Sequence, residues 1–142
     1  MNPDRPHSIR TGKAPDPVGP YPHARRVGDL LFLSGIGPRK PGTNQIPGVT
    51  LDAAGRVAAH DIEAQCRSAF ENVRVILEAA GSSWDKIVDV TVFLTDMQAD
   101  FDRFNRVYAE YFTAVAPARA TVQVAALPGA GVRLQVAAIA VA

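Results

Sequence analysis

Residues 60–80 read "HDIEAQCRSAFENVRVILEAA" and residues 86–96 read "KIVDVTVFLTD". The change of hydrophobic period between these two runs decides the fold class. In the first run Ile62, Cys66, Ala69, Phe70, Val73, Ile76, Leu77 and Ala80 recur at three- and four-residue spacing, which places them on one face of a helix. Asp61 is positioned to cap its start, and Gly81 to end it in the left-handed conformation. In the second run the period drops to two: Val88, Val90, Val92 and Leu94 point one way, Asp89, Thr91 and Phe93 the other. Between the runs, "SSWD" at 82–85 has capping-box spacing and predicts one further helical turn.

Towards the C-terminus, Phe101, Phe104, Val107, Tyr108, Tyr111 and Phe112 form the stripe of a second amphipathic helix over about residues 98 to 113. Strands are predicted over 119–126 and 132–141, separated by "LPGAG". The last is nearly all apolar after Gln135, which predicts burial on both faces. Towards the N-terminus, "LDAAGRV" (51–57) is a turn or short strand connector, and 38–50 is a loop dense in Pro, Gly and Asn. Leu30–Ser34 reads as a buried strand entered through the "GD" turn at 28–29, with Gly35 and Gly37 at its end. Residues 1–20 hold five of the eleven prolines, so they are mostly loop or edge, with a short strand around His7–Lys13.

The order is β-β-β-α-β-α-β-β, an α+β domain with a mixed sheet. Two helices cannot cover both faces of a sheet this wide, so both are expected on one face, leaving the other partly apolar. Large exposed apolar faces are rare in monomers, so the sheet is expected to pack against copies of itself. A single domain is expected over 17–142, preceded by a proline-rich segment at 1–16.

Composition removes several functions. The chain of 142 residues carries 15 basic and 14 acidic side chains and a net charge of +1, with no arm or stripe of one sign, which argues against nucleic acid as a partner. A single cysteine, Cys66, excludes an internal disulfide and a multi-cysteine metal site. The polar opening lacks the apolar core of a signal peptide, and no run reaches the 18 apolar residues of a membrane span, so a cytoplasmic protein with a reduced thiol is expected.

No Walker loop, Rossmann glycine fingerprint, HExxH or nucleophile elbow occurs, and His7, His23 and His60 are too dispersed to suggest a zinc site. Cys66 falls on the apolar helix face, where a buried structural thiol is expected. Trp84, Tyr108 and Tyr111 are read as packing residues. What remains is a set of polar residues at strand ends and turns: Tyr21, Ser34 with Gly35, Asn105, Arg119 and Gln135. Arg119 stands at the mouth of the apolar strand "ARATVQVAALP", either as a surface charge or as a planar fork aimed at a carboxylate.

The segments "GPYPHA", "LLFLSGIGP", "DIEAQCRSAFENVRVILEAAG", "VDVTVFLTDM", "FNRVYAEYF" and "PARATVQVAALP", in this order and spacing, resemble the reactive intermediate deaminase (RidA) family from about residue 17 to the end. The resemblance implies a chorismate-mutase-like fold and trimers with active sites in the clefts between subunits. It also implies hydrolysis of enamines and imines to release ammonia, with no metal or organic cofactor. The sequence leaves open whether trimers pair into hexamers. By position, Arg119 matches the arginine that holds the substrate carboxylate, and Tyr21 and Asn105 match pocket positions. Gly35, beside Ser34, matches the glycine whose backbone contacts the ligand. Gln135 falls where the family has a glutamate that holds the attacking water. A glutamine orients water but cannot take its proton. "PH" at Pro22 and His23 replaces the Ser-Gln of many members.

Within the family the chain resembles the 2-aminomuconate deaminases of aromatic-compound catabolism, on its opening segment and on Gln135. A dicarboxylate substrate requires a second anion site, for which Arg39, Arg133 and His23 are the candidates. His23 is also a candidate proton carrier. The alternatives are a general deaminase of 2-aminoacrylate-type enamines and a non-catalytic module that holds a 2-oxo acid.

Overall fold

The computed structural model describes residues 5–142, so the first four residues of the N-terminal segment lie outside the description. In chain order the elements are β1 (His7–Ile9), β2 (Ala24–Val27), β3 (Leu30–Leu33), β4 (Thr50–Leu51), β5 (Val57–Ala59), α1 (Ile62–Ala79), a 3-10 turn (Trp84–Lys86), β6 (Ile87–Leu94), α2 (Met97–Phe112), β7 (Ala118–Gln123) and β8 (Leu134–Val141). Six strands form one sheet in the order β1-β2-β3-β8-β6-β7, and β4 with β5 form a separate hairpin. Only the β6–β7 pairing is parallel, so the sheet is mixed, and both helices lie on one face of it.

The α1 stripe is buried as its spacing predicts, from Ile62 through Leu77. Its ends are built by local hydrogen bonds. The Asp61 carboxylate accepts from the Glu63 and Ala64 amides at 3.0 and 3.3 Å. At the other end Gly81 adopts φ 80°, the Gly81 amide bonds the Glu78 carbonyl and the Ser82 amide bonds the Leu77 carbonyl, a Schellman closure. Asp61→Ala is expected to lower stability by about 1 kcal/mol, the usual value of an N-cap, read as a lower urea midpoint at unchanged slope. The "SSWD" turn forms, but not through a capping box. Ser82 Oγ instead donates to the Val141 carbonyl at 2.6 Å, tying the turn to β8. The aromatic stripe of α2 packs on α1 around Phe70, whose ring lies 5.0 Å from Tyr111, 5.3 Å from Phe112 and 6.1 Å from Trp84. Trp84 Nε1 donates to the Tyr111 carbonyl at 2.8 Å, which satisfies its one polar atom.

Two sequence expectations change, and one strand appears where none was predicted. Residues 24–27 form that strand: "ARRV" pairs with both β1 and β3, and Gly28 at φ 55° turns it back at the predicted "GD". Val88 is exposed instead of sharing the face of Val90, because the register shifts between Ile87 and Asp89 and a bulge turns that side chain out. The last strand is not buried on both faces. Leu134, Val136, Ala138 and Ala140 face the helices, while Gln135, Ala137 and Ile139 lie half-buried on the other side. That open face also carries Phe32 and Val122, each 40% exposed, so the partly apolar face inferred from the element count exists.

Buried polar side chains brace the loop before β8. Gln65 takes the Arg133 amide on its Oε1 and donates through Nε2 to the Gly131 carbonyl, both at 2.8 Å. Arg133 Nε meets Asp100 Oδ2 at 2.7 Å with the Asp100 side chain only 4% exposed, and Asp96 closes the other side. Arg133 is therefore committed to carboxylates of its own chain and cannot serve as a second anion site. No helix among the described residues is long and apolar enough to cross a membrane.

Candidate active site

A cavity of about 800 Å³ opens where β3 and β8 leave the sheet, and Tyr21, His23, Ser34, Gly35, Arg39 and Gln135 all line it. Its back wall is fixed by β-type pairing. The Ile36 amide donates to the Val136 carbonyl at 2.7 Å and the Val136 amide returns the bond at 2.9 Å, so Gly35 and Gln135 stand side by side. A Cβ on residue 35 would fall 2.7 Å from the Gln135 Cδ, so only glycine lets that side chain lie across the backbone. Ser34 is held by its hydroxyl, which donates to the Pro22 carbonyl at 2.7 Å. Helix α1 fixes the opposite rim: Asn72 Nδ2 donates to the Gly37 and Arg39 carbonyls at 3.0 and 2.9 Å, and Ser68 Oγ to the Pro38 carbonyl at 2.7 Å. Arg39 spends one guanidinium nitrogen on the Asp16 carbonyl, and Asp16 and Lys40 line the same cavity.

His23 does not act as the sequence suggested. Its ring is 4% exposed, the Thr11 amide donates to Nδ1 at 3.3 Å, and Nε2 lies 2.8 Å from the Pro15 carbonyl. The proton therefore sits on Nε2, and both nitrogens are committed to the N-terminal segment. A ring so engaged is a strap for residues 11–15, neither a proton carrier nor an anion ligand.

Arg119 and Asn105 are elsewhere. A left-handed Ala116 (φ 50°), whose amide bonds the Phe112 carbonyl at 2.8 Å, turns the chain out of α2 and into β7. Arg119 pairs with Val90 and so projects to the helix face. There its Nη1 donates to Asn105 Oδ1 at 2.8 Å, and its Cζ lies 4.5 Å from the Tyr108 ring centroid and 5.4 Å from that of Phe104. The residue is exposed and β7 is the edge of the sheet. Gln135 lies on the opposite face, and β8 and β6 stand between β3 and β7. Within one chain the seven remaining candidates thus form two half-sites that cannot meet: a cavity with Tyr21, Ser34, Gly35, Arg39 and Gln135, and Arg119 with Asn105 at the far edge.

Tyr108 is the residue that the sequence reading assigned to packing alone. It does pack, stacked on Phe112 at 4.4 Å, but its other face carries Arg119. The signal was present, since residues 104, 105 and 108 share one helix face by spacing. Burial raises the Tyr108 phenol above its usual pKa while the nearby guanidinium pulls the other way, so the hydroxyl stays neutral. Burial likewise pushes the Cys66 thiol up to about 12, which keeps it unreactive at neutral pH, as a structural thiol should be.

The family described as Endoribonuclease L-PSP matches residues 11–142. A RutC family protein of Saccharolobus solfataricus is 43% identical over 120 residues, covering 84% of this chain and 86% of its own. Reactive Intermediate Deaminase A, chloroplastic, of Arabidopsis thaliana is 38% identical over 120 residues, covering 84% of this chain and 58% of its own. The chain belongs to the RidA/RutC family. The RidA fold is matched in three dimensions as well: the crystal structure of Escherichia coli TdcF with bound serine has a TM-score of 0.81 at 39% identity and covers 96% of this chain and 98% of that one.

Proposed function

We propose that this chain is a cofactor-independent hydrolytic deaminase of enamine and imine carboxylates, and that its site is completed when the Arg119 edge of one copy meets the cavity of the next. The separation of Arg119 with Asn105 from Gly35 with Gln135 carries this reading. Each half alone lacks what the other holds, and an unpartnered apolar sheet face accompanies them. A trimer would close this arrangement with three equivalent sites, because a head-to-tail contact forms a ring when its rotation closes. Relatives named for reactive intermediate deamination, and a solved relative holding an amino-acid carboxylate, support the same chemistry. A cytoplasmic location, where Cys66 stays reduced, goes with it.

The steps follow from the groups. Arg119 clamps the substrate carboxylate with the part of its fork that Asn105 leaves free. A proton taken from solvent at carbon, with one released from nitrogen, turns the enamine into the more electrophilic imine. Water placed by Gln135 and the main chain at Gly35 attacks the imine carbon and one of its protons passes to nitrogen; as the carbinolamine collapses, the hydroxyl proton also passes to nitrogen through solvent, so that ammonia leaves and a 2-oxo acid remains. Gln135 accepts and donates hydrogen bonds but takes no proton, so orientation is its whole contribution.

The finer reading is 2-aminomuconate, converted to 4-oxalocrotonate. Its support is the cavity, which is larger than a three-carbon enamine fills and is lined by two cations, Arg39 and Lys40, against one carboxylate, Asp16. Ammonia release from 2-aminomuconate and from 2-aminoacrylate, each against its spontaneous rate, tests both levels. Acceleration of both with preference for the dicarboxylate is expected, and Arg39→Ala should remove the preference. Acceleration of 2-aminoacrylate alone would overturn the finer reading. Binding of a 2-oxo acid with no acceleration of either substrate would replace the enzyme by a ligand-holding module, the reading that Gln135 favours.

A further inference from the structure

We infer that Tyr108 is a positioning residue for carboxylate binding: its ring face is the platform on which the Arg119 guanidinium lies, and it acts through that arginine without touching the ligand. The inference rests on the role proposed for Arg119 and deepens it. Arg119 reaches over α2 from an edge strand, where a long side chain in water would sample many rotamers. Three contacts remove that freedom. Tyr108 lies beneath Cζ at 4.5 Å, Phe104 flanks it at 5.4 Å, and Asn105 Oδ1 takes one Nη1 proton at 2.8 Å. A cation within about 6 Å of an aromatic centroid is drawn to the ring face. One face and one nitrogen are thereby engaged, and the other donors of the fork make no hydrogen bond among the described residues, which leaves them for a carboxylate.

The ring is itself rigid. It stacks on Phe112 at 4.4 Å with an interplanar angle of 22°, and packs against Phe104 at 5.7 Å and Phe70 at 6.3 Å. The platform is thus anchored in the same aromatic cluster that joins the two helices. The hydroxyl has no part in this: it is buried and finds no hydrogen-bond partner among the described residues. That separates a role of the π face from a role of the phenol. Phenylalanine keeps the face and removes the unpartnered oxygen, whereas an aliphatic side chain keeps only bulk.

The experiment is titration of the assembled protein with 2-oxobutyrate, a 2-oxo acid probe, alongside steady-state ammonia release. Tyr108→Leu is expected to raise the 2-oxobutyrate Kd and the substrate KM about tenfold, in line with the strength of a partly desolvated cation–π contact, while kcat at saturation changes far less. Tyr108→Phe should restore both to near the wild-type values. In an Arg119→Ala background, Tyr108→Leu should add nothing, because the platform then has nothing to hold. Circular dichroism and thermal unfolding identify a variant that does not fold, in which case Tyr108→Met, similar in bulk and without a π face, takes its place. An unchanged Kd in folded Tyr108→Leu would overturn the inference, and so would an equal loss in Tyr108→Phe, or a further loss in the Arg119→Ala background. If Arg119→Ala itself leaves the Kd unchanged, the assignment of Arg119 fails instead, and the platform with it.

Discussion

Replacing Arg119 by alanine is expected to reduce kcat/KM by about a thousandfold, to the edge of detection, because two charge-assisted hydrogen bonds to a carboxylate are lost together with the orientation they impose. The fold should be almost untouched. Arg119 is exposed, its one side-chain hydrogen bond among the described residues is to the equally exposed Asn105, and no buried group depends on it. Exposed polar contacts of this kind contribute about 1 kcal/mol or less, so thermal unfolding and oligomeric state should match those of the parent protein. Arg119→Lys should fall between the two. The ammonium keeps the charge, but it offers no planar fork and stacks poorly on Tyr108, so a loss of about ten- to a hundredfold is expected. Ammonia release and size-exclusion chromatography on the same preparations read both quantities. Deamination at the parental rate by Arg119→Ala would remove the central residue of the proposed site.

The elements that could be read from sequence are those whose side chains report a period. The α1 stripe, the α2 aromatics and the alternation of β6 each repeat often enough to outweigh a local exception. The exceptions are where the period is interrupted. Val88 looks like a core residue in any strict alternation, and only the bulge after Ile87 turns it to solvent. The β2 strand carries two arginines in four residues, so it has no apolar signal, and its existence follows from the partners on either side. Gln65, Asn72 and Asp100 are buried because loop carbonyls and Arg133 reach them from elsewhere in the chain, a long-range fact that no local pattern contains.

The site divides in the same way. Residue types and positions single out Arg119, Asn105, Tyr21, Gly35 and Gln135, and the family resemblance gives them roles, but spacing along a chain does not tell which face of a sheet each side chain occupies. The parallel β6–β7 pairing sends Arg119 to the helix face, while the β3–β8 connection through Ile36 and Val136 keeps Gly35 and Gln135 on the other. His23 shows the converse. An imidazole two residues from Tyr21 suggests proton transfer until its two nitrogens are found bonded to the segment it secures.

That division makes a mixed-chain experiment decisive. Gly35→Val, whose side chain pushes Gln135 off the Gly35 backbone where the attacking water is placed, should inactivate the protein as thoroughly as Arg119→Ala, since a Cβ alone already falls 2.7 Å from Gln135 Cδ. The two inactive proteins, unfolded together, mixed in equal amounts and refolded, should regain activity. In a ring of copies each site takes its cavity from one chain and its arginine from the next. A site is intact only when the first is the Arg119→Ala chain and the second the Gly35→Val chain. Random assembly gives that order with a probability of one half times one half, so about a quarter of parental activity should return. A site contained within one chain predicts none, because every chain in the mixture carries one lesion. Recovery should be absent when either variant is refolded alone, and should fall as one is diluted by excess of the other. The recovered activity is therefore a direct count of sites assembled across a chain boundary. A value of zero, from refolded oligomers of the same size as the parent, would require Arg119 to reach Gln135 past the intervening strand β6 and from the opposite side of the sheet, which the pairing of β7 with β6 forbids.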